Sequence, residues 1–137
     1  MAFRLDERLA QDCFELGRLG LSRVLLMNNA GVPWFILVPE TACTELHQLP
    51  ESERQRLHAE IQALSEFVNS HYSPDKLNVA AIGNIVRQLH VHVVGRHEDD
   101  YCWPGVVWGT TAPKTYPQAQ VDALRNTLLA GLTGFRE

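Results

Sequence analysis

Residues Gln88-Leu89-His90-Val91-His92-Val93-Val94 alternate polar and apolar side chains with a period of two, and this segment constrains the fold most tightly. In a strand successive side chains point to opposite faces, so Leu89, Val91 and Val93 belong to one face and Gln88, His90 and His92 to the other. The first face joins an apolar core. The second presents three hydrogen-bonding side chains in a row, about 7 Å apart, on an element stiffer than a loop. Burying an imidazole without a partner costs on the order of 1–3 kcal/mol, and a purely structural strand would carry Val or Thr there. A plain strand with solvent-facing histidines is one alternative to a chemical site. A metal centre is another, but it needs a third ligand such as His97, Asp99 or Cys102, whose spacing does not bring them together. No metal and no cofactor is assigned.

The flanking sequence predicts the frame that holds this strand. Leu5, Leu9, Cys13 and Leu16 recur at helical spacing behind Asp6, a good cap, and Gly17 and Gly20 stop the pattern, so residues 5–17 read as a short helix. Ser22–Asn28 and Trp34–Val38 are β-rich runs separated by a turn rich in Asn, Gly and Pro, and read as a hairpin. Pro50, Glu51 and Glu53 suit a helix N-terminus, and Leu57, Ile61, Leu64 and Val68 then share a face. Leu77–Ile82 and Leu89–Gly95, joined through Gly83-Asn84, read as a second hairpin. Val121, Leu124 and Leu128 after Pro117 suggest a final helix. Antiparallel pairs with helices beside them make an α+β fold in a single domain, residues 1–137.

Composition narrows the partners. The chain is 45% apolar and 20% charged with a net charge of −4, and no run of Lys or Arg could track a nucleic-acid backbone, so long nucleic acids are excluded. Its longest apolar run, Trp34–Val38, is too short for a membrane span, and Met1–Asp6 lacks the apolar core of a secretion signal. No membrane is expected as a partner, and the expected location is cytoplasmic. Cys13, Cys43 and Cys102 are an odd number of scattered thiols without a C-x-x-C pair, and are read as buried and unpaired.

The strand resembles the signature of the histidine triad family, His-φ-His-φ-His-φ-φ with φ apolar. Gln88 stands at the first triad position, His90 at the second and His92 at the third. Gly83-Asn84 upstream, Gly95-Arg96 downstream and the run Trp34–Pro39 are similar to the family in kind and order, over residues 22–96. The resemblance implies a HIT-like fold with an antiparallel sheet of about five strands and flanking helices. It also implies a nucleotide hydrolase or transferase in which His90 attacks the α-phosphorus of a nucleoside monophosphate conjugate, giving a nucleotidyl-histidine intermediate.

In that scheme His92 donates to a phosphate oxygen or helps protonate the leaving group, and Gln88 orients the nucleophile or the phosphate without being able to carry a proton. Gly83 and Asn84 would approach the phosphate, although Gly83 reads equally as a hairpin turn. By the same resemblance Asn28, or Asn29 if the alignment slips by one, would meet the ribose hydroxyls. Asn78 would help hold the substrate or else bond a nearby loop. Trp34, Phe35 and Leu25 suit either a base pocket or the core. Trp103 and Trp108 are placed as interface anchors, and the resemblance implies a homodimer. The other function class is a nucleotide-binding module with little turnover.

Overall fold

The computed structural model describes residues 2–137. Its centre is a six-stranded sheet in the order β4-β5-β3-β2-β1-β6, and every neighbouring pair is antiparallel. The strands are β1 (Cys13–Leu19), β2 (Ser22–Met27), β3 (Trp34–Pro39), β4 (Lys76–Ala80), β5 (Val91–Arg96) and β6 (Phe135–Arg136). The helices are α1 (Glu7–Asp12), α2 (Glu51–Tyr72) and α3 (Gln118–Gly131). The α+β class and the antiparallel sheet agree with the sequence reading, and β1 and β6 join the four strands placed from the sequence.

β1 stands where residues 5–17 read as a helix. Asp6 does cap α1, its side chain accepting from Arg8 N at 2.8 Å, but the helix ends at Asp12 and Cys13–Leu19 run as β1. The register against β2 slips between Glu15 and Gly17, so Leu16 is an extra residue in a bulge. A bulge interrupts the two-residue alternation, and Leu16 and Leu19 therefore point to the same core three residues apart, a spacing that imitates a helix. Gly17 lets β6 approach: a Cβ there would overlap the carbonyl oxygen of Arg136 and lie 2.7 Å from the Phe135 ring.

One sheet face packs on the helices, with Val24, Leu26, Phe35, Leu37 and Val93 against Leu64, Val68, Val121 and Leu128. The other face, with Leu25, Trp34, Ile36, Val38 and Val94, is covered by Leu5 and Leu9 from the N-terminus and by Val107 and Trp108 from the chain after β5. All six residues of β3 are buried because both faces are covered, which explains its unbroken apolar run. Trp34, Phe35 and Leu25 are core residues, so the base-pocket alternative for them is withdrawn. No helix is long and apolar enough to cross a membrane among the described residues.

Candidate functional site

The alternation read from the sequence holds from Val91 onward. Val91 and Val93 face the helices while His92 and Val94 lie on the opposite face, and Leu89 joins Val91 in a cluster with Leu49 and Leu57. Gln88, Leu89 and His90 precede β5 in a ten-residue irregular connection from β4, so the expected second hairpin is present as an antiparallel pair, with a longer loop and shorter strands than the sequence suggested. This loop still sets the His90 ring beside that of His92, with centroids 4.9 Å apart and the planes nearly perpendicular.

Each imidazole has one nitrogen committed to a partner that fixes its proton. The Nδ1–H of His90 donates to the carbonyl of Gln88 at 2.6 Å, since a carbonyl can only accept, so in the neutral ring Nε2 is the nitrogen that carries the lone pair. The indole N–H of Trp34 donates to Nδ1 of His92 at 3.0 Å, which places the His92 proton on Nε2. Burial, reinforced by His90 alongside, lowers the His92 pKa to about 3, so this ring is neutral at physiological pH. Trp108 closes over it edge-on, with ring centroids 5.2 Å apart. The pair therefore offers one nucleophilic nitrogen and one N–H donor.

His90 opens into a cleft of about 780 Å³ lined by Gly83, Asn84, Arg87 and Gln88 on one side and Thr44, Glu45, Leu46 and His47 on the other. The second wall comes from the segment between β3 and α2, which carries no motif and escaped sequence reasoning. Arg87 escaped it too, although a cation directly before the triad segment was a usable signal.

Two predicted substrate residues lie elsewhere. Asn28 Oδ1 accepts the backbone N–H of Tyr116 at 2.9 Å, and Asn29 donates to the Tyr101 hydroxyl at 2.9 Å, so both tie loops to the end of β2 and neither lines the cleft. Asn78 Oδ1 accepts from Arg96 at 3.0 Å. Arg96 is buried and also bonds both carboxylate oxygens of Asp100, at 2.8 and 3.0 Å, with Trp103 packed over its guanidinium. These bonds anchor the turn after β5. Trp103 and Trp108 are half-buried, the first packed over Arg96 and the second edge-on to His92.

Of the three possible third metal ligands, His97 bonds the carbonyl of Tyr72 at 3.1 Å and Cys102 lies 3.5 Å from Arg96. Among the described residues no group of three or more His, Cys, Asp or Glu side chains could hold a metal ion. Burial, with Asp12 adding to it, pushes the Cys13 thiol up to about 12 and leaves it unreactive.

The profile of the HIT domain matches residues 8–99, a span that contains both histidines, Gln88 and the cleft's two walls. The chain belongs to the HIT family. Among solved structures it is similar to a histidine triad protein from Marinobacter aquaeolei VT8, with 44% identity over 96% of this chain and 97% of that one and a TM-score of 0.91. Histidine triad proteins from Bradyrhizobium japonicum (36% identity, 96% and 99% covered) and Sinorhizobium meliloti 1021 (38%, 95% and 97% covered) superpose with the same TM-score of 0.91. A search of curated protein sequences finds no match. HIT-family membership supports a nucleotide-binding or a hydrolase or transferase role in general, and some members are non-catalytic.

Proposed function

We propose that the protein is a nucleotide hydrolase or transferase acting at the α-phosphate of nucleoside monophosphate conjugates, with His90 as the nucleophile. The observation that carries this reading is the 2.6 Å bond from His90 Nδ1–H to the Gln88 carbonyl, because it leaves Nε2 unprotonated beside an open polar cleft. Nε2 attacks phosphorus as the bond to the amine, acyl or nucleotide leaving group breaks, a departing amine taking its proton from solvent water in the open cleft, and water then cleaves the phosphorus–nitrogen bond of the nucleotidyl-histidine, releasing the nucleoside monophosphate and restoring neutral His90. His92 donates its Nε2–H to a non-bridging oxygen; with its pKa lowered to about 3 it serves as a hydrogen-bond donor and not as the acid for the leaving group. Gly83, Asn84 and Arg87 are assigned to the phosphate, Arg87 by charge and the other two by hydrogen bonding.

Incubation with an adenosine phosphoramidate, acid quenching and mass spectrometry test the reading: wild type should release AMP and carry a nucleotidyl adduct, and His90→Ala should do neither. A nucleotide-binding module is the second reading, favoured by one observation: both polar atoms of the Gln88 amide are engaged by backbone groups, so the first triad position supplies no proton. Monophosphate binding without adduct or turnover would establish that reading instead. We further place the protein in the cytoplasm as one domain forming a homodimer. Exposed Val79 on the edge strand β4 and Ile85 in the following loop are apolar surface for the partner copy. Light scattering should return twice the chain mass.

A further inference from the structure

Gln88 is bonded from three directions. Its Oε1 accepts the backbone N–H of Asp6 at 2.9 Å, its Nε2 donates to the carbonyl of Arg4 at 2.9 Å, and its own carbonyl holds the Nδ1–H of His90. A primary amide presents one acceptor and one donor side by side, which matches the N–H and C=O of an extended backbone as a strand neighbour would. No titratable side chain offers that pair in both protonation states.

The segment so gripped is itself fastened at both ends. The guanidinium carbon of Arg23 lies 4.8 Å from the centre of the Phe3 ring, and Leu5 and Leu9 pack into the cluster built on Trp34, Ile36 and Val94. On its C-terminal side the Gln88 backbone is anchored by Leu89, buried with Leu49, Leu57 and Val91; on its N-terminal side it has no comparable anchor. Residues 81–88 lie outside any strand and make no loop hydrogen bonds to other backbone groups. The carbonyl that orients His90 is therefore held from one side by the packing of Leu89 and from the other through the Gln88 side chain.

We infer that the N-terminal segment is a strap latched through Gln88, and that this latch sets the tautomer and orientation of His90. Gln88 is on this view a positioning residue, its amide bonded to the N-terminal segment and its carbonyl acting on His90. The inference rests on the proposed role of His90 for its catalytic meaning, but its structural content can be read without any substrate.

The test is the ring ¹⁵N spectrum of histidine-labelled protein at pH 8, recorded for wild type, Gln88→Ala and Asp6→Pro. Asp6 has φ −54°, which proline adopts, so Asp6→Pro deletes the N–H that Gln88 accepts; Asp6→Ala, which loses only the cap, is its control. Wild type and Asp6→Ala should show His90 with Nδ1 protonated and Nε2 bare. Gln88→Ala and Asp6→Pro should each give a tautomer mixture, and the double variant should be no worse than either. If Asp6→Pro does not fold, Gln88→Glu replaces it: the carboxylate keeps the acceptor for Asp6 but loses the donor to Arg4, and an intermediate spectrum is expected. With a phosphoramidate, the latch variants should lose about tenfold or more in kcat with KM little changed. An unchanged His90 spectrum in Gln88→Ala, or effects that add in the double variant, would overturn the latch. Shifted spectra together with a wild type that turns over nothing would leave the latch standing and sink the proposed reaction.

Discussion

The indole of Trp34 and the imidazole of His92 form a single buried unit in which the N–H of one fills the Nδ1 lone pair of the other at 3.0 Å. Trp34 lies on β3 and His92 on β5, and the sheet register that pairs Trp34 with Val94 and Ile36 with His92 sets the two rings on the same face. The ring is kept neutral by this burial, so its charge state is a property of the fold.

Stability should consequently depend on pH through His92. Its folded pKa of about 3 lies below the ordinary value of 6.5, so between those values the unfolded chain binds a proton that the folded one does not. The contribution is full above pH 6.5 and is lost as pH falls toward 3, at up to about 1.4 kcal/mol per unit. Urea unfolding of wild type and His92→Gln from pH 8 to 4 checks this: the wild-type curve should carry the steeper acid slope.

Trp34→Phe keeps most of the ring volume but leaves the buried Nδ1 of His92 without its donor. A loss of about 1–3 kcal/mol is expected, the cost of an unsatisfied buried polar group, measured as a lower urea midpoint with an unchanged m-value.

Asp100→Asn should be more severe than a surface charge change. The side chains of Arg96 and Asp100 are both covered, and removing one charge strands the other, at a cost of up to about 3–5 kcal/mol. The hydrogen bond from Arg96 holds the Asp100 carboxyl at about 2, so its stabilising contribution is present above pH 4 and lost as pH falls through 2, a window below that of His92. Chemical denaturation at neutral pH reads the first effect, and acid titration of near-ultraviolet circular dichroism reads the second.

Gly17→Ala places a methyl group against the Arg136 carbonyl and the Phe135 ring, so β6 must move away from β1. The expected cost is about 1–3 kcal/mol, with faster amide exchange at Arg136 as the local signature.

The helices were legible because their apolar positions recur over several turns. Leu57, Ile61, Leu64 and Val68 line the face of α2 that meets the sheet, and Val121, Leu124 and Leu128 do the same for α3. The first element was misread because the Leu16 bulge gives a strand the spacing of a helix, and nothing within residues 13–19 reveals the bulge. Its cause is distant: β2 fixes the register on one side and the two-residue β6 on the other.

The site divides in the same way. Sequence alone determined that Val91 and Val93 enter the core while His92 lies on the other face, because the pleat of a strand allows no other arrangement, and the flanking Gly83-Asn84 does line the His90 cleft. Only the tertiary structure decided what each polar side chain bonds. Gln88 reaches Arg4 and Asp6, Asn28 reaches Tyr116, and Asn78 reaches Arg96, over separations of 84, 82, 88 and 18 residues. An amide takes whichever donor or acceptor lies within about 3 Å, and that proximity is set by chain packing and not by local spacing.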